Sequence, residues 1–440
     1  MAQGRSVPYA AKAVIGWNRP RARMKHCVVI GGGVVGLTSA WALAERGHAV
    51  TLIEREREVA LGASHANGGQ LSYRYVSPLA DEGVPLKALR WLLDPDGPLR
   101  FKPEASWQQW SWMLAFLRAC RAPVNRRMTE KLLALGAFSQ SAFSQLHQAT
   151  RLDGIALRAP GKLVVYRKDE EFARVAGRVR AQAGSLEQAL SHDECVALEP
   201  ALGYSDTQLA GGIFTPGEAV ADCKQFCLQL AKALQQHPNF RGFQQAEVSG
   251  FLQRGGDSIA AVRTSKGEIA ADQVVLAAGL QSRPLAAQLG IRLPLYPLKG
   301  YSLTAPIAEG HHPPEVSVTD FEKKILYARI GDQLRIAAMV DLVGEDDSID
   351  PRRIASLHKA VRATFPKAAD YDQAIAWAGL RPATPSGAPI VGATPVSNLW
   401  LNVGHGALGF TFSFATADIV AELVSGRSSP VALDGLQLAA

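Results

Sequence analysis

The stretch Cys27-Val-Val-Ile-Gly-Gly-Gly-Val-Val-Gly36 decides the fold. Four residues suited to a buried strand run into Gly31-x-Gly33-x-x-Gly36. A helical pattern follows through Leu37, Ala40, Trp41 and Leu43 to Arg46, and Gly47 stops it. Val50, Leu52 and Ile53 form a second apolar strand that ends at Glu54. In such a β-turn-α-β unit each glycine has a task. Gly31 permits the tight turn, Gly33 lets backbone approach a pyrophosphate, and Gly36 lets the helix sit close to the strand. The pyrophosphate is expected at the helix N-terminus beside Val34 and Val35, where free N–H groups and the helix dipole favour anions. Glu54, 18 residues after Gly36, suits ribose hydroxyls and disfavours a 2′-phosphate.

The first motif fits both FAD and NAD, and three later segments separate them. Residues 62–72 read Gly-Ala-Ser-His-Ala-Asn-Gly-Gly-Gln-Leu-Ser, a small, polar stretch that directly follows the second strand. Asp272-Gln-Val-Val-Leu-Ala-Ala-Gly279 is an apolar strand ending in small residues, fit to return beside the pyrophosphate. Asn402-Val-Gly-His-Gly-Ala-Leu-Gly-Phe-Thr411 precedes a helix near the C-terminus. An NAD enzyme has little need of a cofactor-like loop so late in the chain. An extended FAD does, because its flavin lies far from its adenine, and a helix N-terminus at 406–411 stabilises the anionic reduced flavin.

Working outward, 440 residues predict two or three domains with a core that needs no staples. The formal net charge of +7 invites a nucleic-acid reading, but Arg5, Lys12, Arg19, Arg21 and Arg23 supply most of it within residues 1–23, which hold no acid. The rest is nearly balanced, and no basic run resembles a nucleic-acid arm. Residues 1–23 read as an over-long start at Met24, a floppy tail or a targeting signal. Cys27, Cys120, Cys195, Cys223 and Cys227 are odd in number and scattered, which predicts packed thiols in a reducing compartment and no zinc site. No uninterrupted apolar stretch reaches the ~18 residues of a spanning helix.

Several of these segments together resemble the D-amino acid dehydrogenases, within the D-amino acid oxidase and glycine oxidase superfamily of FAD enzymes. They are Gly31–Gly36 with Glu54, Ala63–Ser72, Tyr296-Pro-Leu-Lys-Gly-Tyr-Ser302, Gly379-Leu-Arg-Pro-Ala-Thr-Pro385 and Gly404-His-Gly406. The resemblance runs from about Met24 to Arg427. It implies an FAD enzyme that oxidises the Cα–N bond of a D-amino acid by hydride transfer to flavin N5. Hydrolysis then yields a 2-oxo acid and ammonia, and electrons pass to a quinone or similar acceptor. It implies FAD contacts from Gly31, Gly33, Val34, Val35, Gly36, Glu54, Arg55, Ser64, Asn67, Gly68, Gly69, Gln70, Leu71, Val248, Ala278, Gly279, Gly404, Gly406, Leu408, Gly409, Phe410 and Thr411. Arg381 matches the position that clamps the substrate carboxylate, a task suited to its planar fork.

One departure stands out. Where glycine oxidase-like relatives carry a second arginine, this chain has Gly406-Ala407-Leu408, which favours the dehydrogenase branch. His405 reads either as a packed histidine or as a substrate-side or flavin-contacting residue. Tyr301 and Tyr73 read as pocket walls or ordinary packing, and Lys299 stays open. Rival readings are a D-hydroxyproline or other secondary-amine dehydrogenase or oxidase of the same fold, a non-catalytic flavoprotein subunit, and an NAD-dependent dehydrogenase.

The expected fold class is α/β: a Rossmann-like FAD-binding domain interleaved with an α+β substrate domain of antiparallel sheet plus helices. Residues 24–83, 205–290 and 377–440 are assigned to the first, and 84–204 and 291–376 to the second as a lid. The first lid stretch looks mainly helical, as at 129–150. The second carries strand signals at 301–305, 325–330 and 334–340. Trp91, Trp107, Trp110 and Trp112, with Leu92, Leu93, Leu114, Arg118 and Arg121 beside them, read as a lid core or as a peripheral inner-membrane contact through residues 84–123. The expected location is cytoplasmic, with that possible contact to the cytoplasmic membrane.

Overall fold

A computed structural model describes residues 24–438, apart from 77–79, 82, 95 and 183. The expectations for residues 1–23 lie outside the described residues. The first strand, His26–Ile30, pairs in parallel with Ala49–Glu54 on one side and Gln273–Leu276 on the other. Phe240–Gln245 and Leu399–Val403 extend the parallel run, and Ile390–Ala393 closes one edge antiparallel. Both faces of this six-stranded sheet are covered, so its strands are continuous apolar runs. Cys27 and Val29 face one apolar cluster with the helix Val34–Glu45 and the C-terminal helix Gly409–Val424. Val28 and Ile30 face another, with the meander Val248–Arg254, Ser258–Thr264 and Gly267–Ala270. The two helices are tied where Thr38 Oγ1 donates to the Ser413 carbonyl at 3.1 Å. The C-terminal helix is apolar and long enough to cross a membrane, but most of it is buried in this core. All five thiols are free and buried.

The second sheet has nine strands. From one edge run Ile375–Ala383, Tyr296–Pro306, Gln333–Leu342, Ile325–Ile330, Ser317–Asp320, Lys162–Tyr166, Gly211–Thr215 and Gln188–Ser191, with Leu99–Phe101 branching from Gln333–Leu342. Most pairs are antiparallel. The expected strands at 301–305, 325–330 and 334–340 are thus three that the sheet makes neighbours. One face is sealed by the helix Pro351–Thr364 through Leu357 and Val361. The other faces the loop 62–71.

The chain divides differently from the expected boundaries. Gly211–Thr215, within the 205–290 assigned to the cofactor side, pairs with Lys162–Tyr166 in the second sheet. Ile375–Ala383 crosses the expected boundary at 377 and also belongs there. The helix Ala122–Thr150, assigned to the lid, packs on the cofactor side, where Ser139 Oγ bonds the Thr411 carbonyl and the Ala415 N–H of the C-terminal helix. Lys162–Tyr166 interrupts the helical stretch because five consecutive buried residues carry no alternation from which to read a strand. These partners are far apart in sequence, so no local composition signals them.

Gly136 seats that long helix, for a Cβ there would lie 2.2 Å from the Tyr73 carbonyl oxygen. Helix propensity alone would make Gly136→Ala stabilising by about 1 kcal/mol. The contact reverses the sign. Gly136→Ala is expected to destabilise by about 1–3 kcal/mol, as an overpacked core does, which urea unfolding would measure. A gain in stability would refute this account of the helix seat.

Candidate cofactor and substrate site

The glycine turn is built for close approach. Gly31 has φ +112°, and a Cβ there would lie 2.5 Å from the Ala277 oxygen. At Gly36 a Cβ would fall 1.8 Å from the Gly31 oxygen, so strand and helix meet backbone to backbone. Gly33 is open, with only Ser64 Oγ near its missing side chain. The Val34 N–H donates to Ser64 Oγ at 3.0 Å, which joins the helix start to the next loop. Gly32 N–H donates to Glu54 Oε2 at 2.5 Å and Glu56 N–H to Oε1 at 3.0 Å. The acid at the strand end is therefore folded back to the turn, while Arg55 pairs with Glu56. Ala246 N–H donates to the Glu54 carbonyl, bringing the segment ahead of Val248 to the same end. Ala277 and Ala278, just past the neighbouring strand Gln273–Leu276, approach Gly31, and Gly279 opens the turn that follows.

The loop 62–71 spans from this turn to the second sheet. Asn67 Oδ1 accepts the Gly69 N–H at 3.0 Å. The Ala66 carbonyl accepts from Ser302 Oγ at 2.8 Å and the Asn67 carbonyl from Arg335 Nη1 at 2.8 Å. Side chains at Gly68 and Gly69 would strike Leu326 and Ile330, so both glycines lie flush on the sheet. Gln70 is held at both ends: Nε2 donates to Ser317 Oγ, and Oε1 accepts from Lys162 Nζ, each at 2.7 Å. Leu71 is buried and pairs with Ala219. Thr411 Oγ1 accepts the Ser72 N–H at 3.1 Å and donates to the Gln70 carbonyl at 3.3 Å, which brings the start of the C-terminal helix to this loop. Gly404 and Gly406, at φ +80° and +54°, turn the preceding chain past Ala383 and Thr384. Leu408 N–H then bonds the His405 carbonyl, Gly409 opens the helix, and Phe410 packs in the core.

Arg381 lies on the same face of the second sheet as that loop. It stands opposite Leu298, and side chains alternate along a strand, so Leu298, Gly300 and Ser302 share its side. The guanidinium lies flat over Gly300, where a Cβ would come within 2.1 Å of Nη2. Nη1 donates to the Met339 carbonyl at 3.1 Å. Met339 has φ +68°, beside the irregular register between Lys299 and Tyr301, and this turns its carbonyl to the arginine. Among the described residues no carboxylate forms an ion pair with Arg381. Burial lowers its pKa to about 10, with Asp341 pulling the other way, so it stays cationic at neutral pH. Trp377 folds over Gly379, and its ring lies 6.2 Å from that of His65 on the cofactor loop.

A family model described as FAD dependent oxidoreductase matches residues 26–423. The chain belongs to this FAD-dependent oxidoreductase family. It is 48% identical over 408 residues to D-amino acid dehydrogenase 2 of Pseudomonas aeruginosa, covering 93% of this chain and 97% of that protein. It is 46% identical over 419 residues to a protein of the same name from Ralstonia nicotianae, covering 92% and 97%. Among solved structures, glycine oxidase from Bacillus cereus superposes with a TM-score of 0.71 at 20% identity, over 94% of this chain and 99% of that one. The L-proline dehydrogenase of P. horikoshii gives 0.72 at 18%, over 94% and 97%. The fold is thus the shared FAD-binding one, and FAD is the cofactor. The residues fit it: the open side of Gly33 and the backbone contacts at Gly31 and Gly36 leave a cradle that a Cβ at Gly33 would begin to fill.

Three expected site residues stand elsewhere. Tyr301 is on the opposite face of the sheet from Arg381, in the cluster with Leu357 and Val361, and its hydroxyl faces the buried Asp341. Alternation puts it there, one position from Gly300. Tyr73 belongs to the core cluster with Leu132, Leu135 and Phe143, and Glu218 accepts its N–H at 2.6 Å. His405 is buried, bonded through Nε2 to Thr416 Oγ1 at 3.0 Å, and bridged by backbone to Ala383. It braces the strand that carries Arg381. Lys299 pairs with Asp346 at 3.1 Å on the Tyr301 face. Sequence reasoning quoted Gly300 and Gly379 without a role, and did not name Trp377, Met339, Lys162, Arg335 or Glu218. Glycines inside strands were the available signal, since they mark close approach.

Burial holds the His405 pKa down at about 3, against 6.5 for the free side chain. A depressed pKa contributes stability that is complete above the unfolded value and is lost as pH falls toward the folded one. His405 is therefore neutral wherever the enzyme works and leaves no inflection in the pH–rate profile. Its contribution falls by about 2 kcal/mol between pH 6.5 and 5. His405→Asn is expected to flatten the acid limb of the stability curve, measured by denaturant unfolding at each pH. An unchanged limb would contradict a buried neutral histidine.

Proposed function

We propose that this enzyme oxidatively deaminates D-amino acids to 2-oxo acids and ammonia. The observation that carries the reading is Arg381, a half-buried guanidinium without a carboxylate partner among the described residues, on the face that meets the loop 62–71. A buried cation without an anion is costly, and a bound carboxylate offsets that cost. The relatives named D-amino acid dehydrogenase, matched over nearly their whole length, supply the substrate class.

FAD, when bound, would supply the two-electron acceptor, taking the hydride from Cα. The chain's own residues orient the substrate. Arg381 fixes the carboxylate by paired hydrogen bonds, Gly300 and Gly379 leave the strand surface flat, and Trp377 with His65 borders the space beside it. Orientation of this kind takes the place of acid–base groups. Glu54 and Ser64 serve the ribose and pyrophosphate end, and Asn67 to Leu71 with Thr411 serve the flavin end.

The electron acceptor we favour is a membrane quinone. The helix Trp107–Ala119 has two faces. Trp112 is buried against Tyr296 and bonds the Ala383 carbonyl, whereas Trp107 is 84% exposed and Trp110, Leu114 and Leu117 are exposed beside it. Exposed Arg118, Arg121, Arg126 and Arg127 follow. Exposed tryptophan and leucine next to cations suit an anionic bilayer surface.

The purified yellow protein is expected to bleach anaerobically with D-alanine or another D-amino acid. Arg381→Met should lower kcat/KM about 100-fold or more, chiefly through KM, given the strength of charge-assisted pairs. No bleaching across a panel of D-amino acids that includes D-hydroxyproline would overturn the reading, as would bleaching by L-amino acids alone. For the surface, co-sedimentation with anionic vesicles is expected, weakened by salt and by the pair Trp107→Ala and Leu114→Ala. Equal recovery in the supernatant with and without vesicles would remove the membrane contact.

A further inference from the structure

A lysine at the head of a central strand deserves a role that the substrate chemistry leaves unassigned. Lys162 opens the strand Lys162–Tyr166, whose five residues are all buried, and is itself only 2% exposed. Its register partners are Ser317 on one side and Thr215 on the other. Its ammonium donates to Gln70 Oε1 at 2.7 Å and lies 4.7 Å from the centre of the Tyr75 ring. Among the described residues no carboxylate reaches it within ion-pair distance, although Glu218 acts on it through space. The buried Glu218 in turn accepts the backbone N–H groups of Tyr73, Arg74 and Tyr75 at 2.6, 2.7 and 3.2 Å.

The two charges therefore grip one short stretch of chain, residues 70–75, from the sheet side. A lysine has only donors, so the Gln70 amide must present its oxygen to Lys162. That leaves Nε2 for Ser317, the bond observed at 2.7 Å. Ser72 Oγ also donates to Gln70 Oε1, at 3.3 Å, but a hydroxyl can donate or accept, so the ammonium is the contact that fixes which end of the amide faces the strand. A charge buried this deeply also opposes folding, so its presence needs another reason.

We infer that Lys162 is a positioning residue for FAD: by orienting Gln70, and with Glu218 fixing residues 73–75, it presets the loop 62–71 in its cofactor-binding shape. The inference rests on the reading that this loop contacts FAD.

The test uses the full chain, stripped of FAD and reconstituted, with FAD affinity read by quenching of flavin fluorescence and stability by urea unfolding of the apoprotein. Lys162→Met conserves the aliphatic stem and removes the charge. It is expected to weaken FAD binding about tenfold, the scale of one charge-assisted hydrogen bond, while apoprotein stability holds or rises. Gln70→Leu should weaken FAD similarly, and the double variant should be no worse than either single one, because both act through one contact. Lys162→Arg should recover part of the affinity. The inference fails if Lys162→Met binds FAD as the parent does while Gln70→Leu does not, or if the two effects add. It fails also if Lys162→Met loses apoprotein stability in proportion to affinity, since that marks a general structural role. If Gln70→Leu leaves FAD affinity unchanged, the loop reading falls first and the role of Lys162 with it.

Discussion

Everything in this molecule is arranged around the contact between Gly31 and Gly36, where the turn out of the first strand touches the helix that follows. A single methyl at Gly36 would overlap the Gly31 oxygen, so the pair permits only glycine. That contact sets the height of the helix over the sheet, which places the Val34 N–H within reach of Ser64 and the Gly32 N–H within reach of Glu54. The same turn presses on Ala277, so the strand Gln273–Leu276 must lie beside the first one. Fixing one backbone approach thus fixes the neighbours of three segments that are distant in sequence.

The second sheet depends on parity. Ser302, Gly300 and Arg381 face the cofactor loop, while Tyr301, one residue away, faces the helix Pro351–Thr364. A slip of one residue would bury the guanidinium in an apolar core and turn the tyrosine to the cofactor. The register irregularity beside Met339, with its left-handed backbone, stores strain on the order of 1–3 kcal/mol. It occurs where Arg381 needs an acceptor for one nitrogen. That bond engages Nη1, and among the described residues no carboxylate pairs with the guanidinium.

How much of this was legible in the sequence follows from the range of each signal. The first β-turn-α-β unit was readable to its ends, from His26 to Glu54, because glycine spacing and apolar periodicity are local. The small residues clustered at 62–72 and 404–411 marked both as places of close backbone approach, and the two segments meet where Thr411 bonds Ser72 and Gln70. Arg381 was singled out only through the resemblance, and it stands near the end of the strand Ile375–Ala383. The face of a side chain was not legible where a strand is buried on both sides, so Tyr301 read as a pocket wall or as packing, and it lies in the core. Lys162 and Glu218 were invisible for another reason. Each looks like a surface charge until the sheet pairing buries it, and that pairing joins residues 70, 162, 218 and 317 across most of the chain.

The distribution of charge carries the functional argument further than its total. A net charge of +7 says nothing of where the charges stand. On the loop-facing side of the second sheet stand three covered cations, Arg381, Arg335 and Lys162. Arg335 is 8% exposed, donates to the Asn67 carbonyl, and has Nε without a partner among the described residues. The buried acids answer them unevenly: Asp341 is taken up by Arg353 at 2.6 Å, and Glu218 by three backbone N–H groups. This face therefore holds positive charge in excess of what the protein itself neutralises. Desolvated cations oppose folding unless an anion completes them. An anion seated on this face would offset that cost.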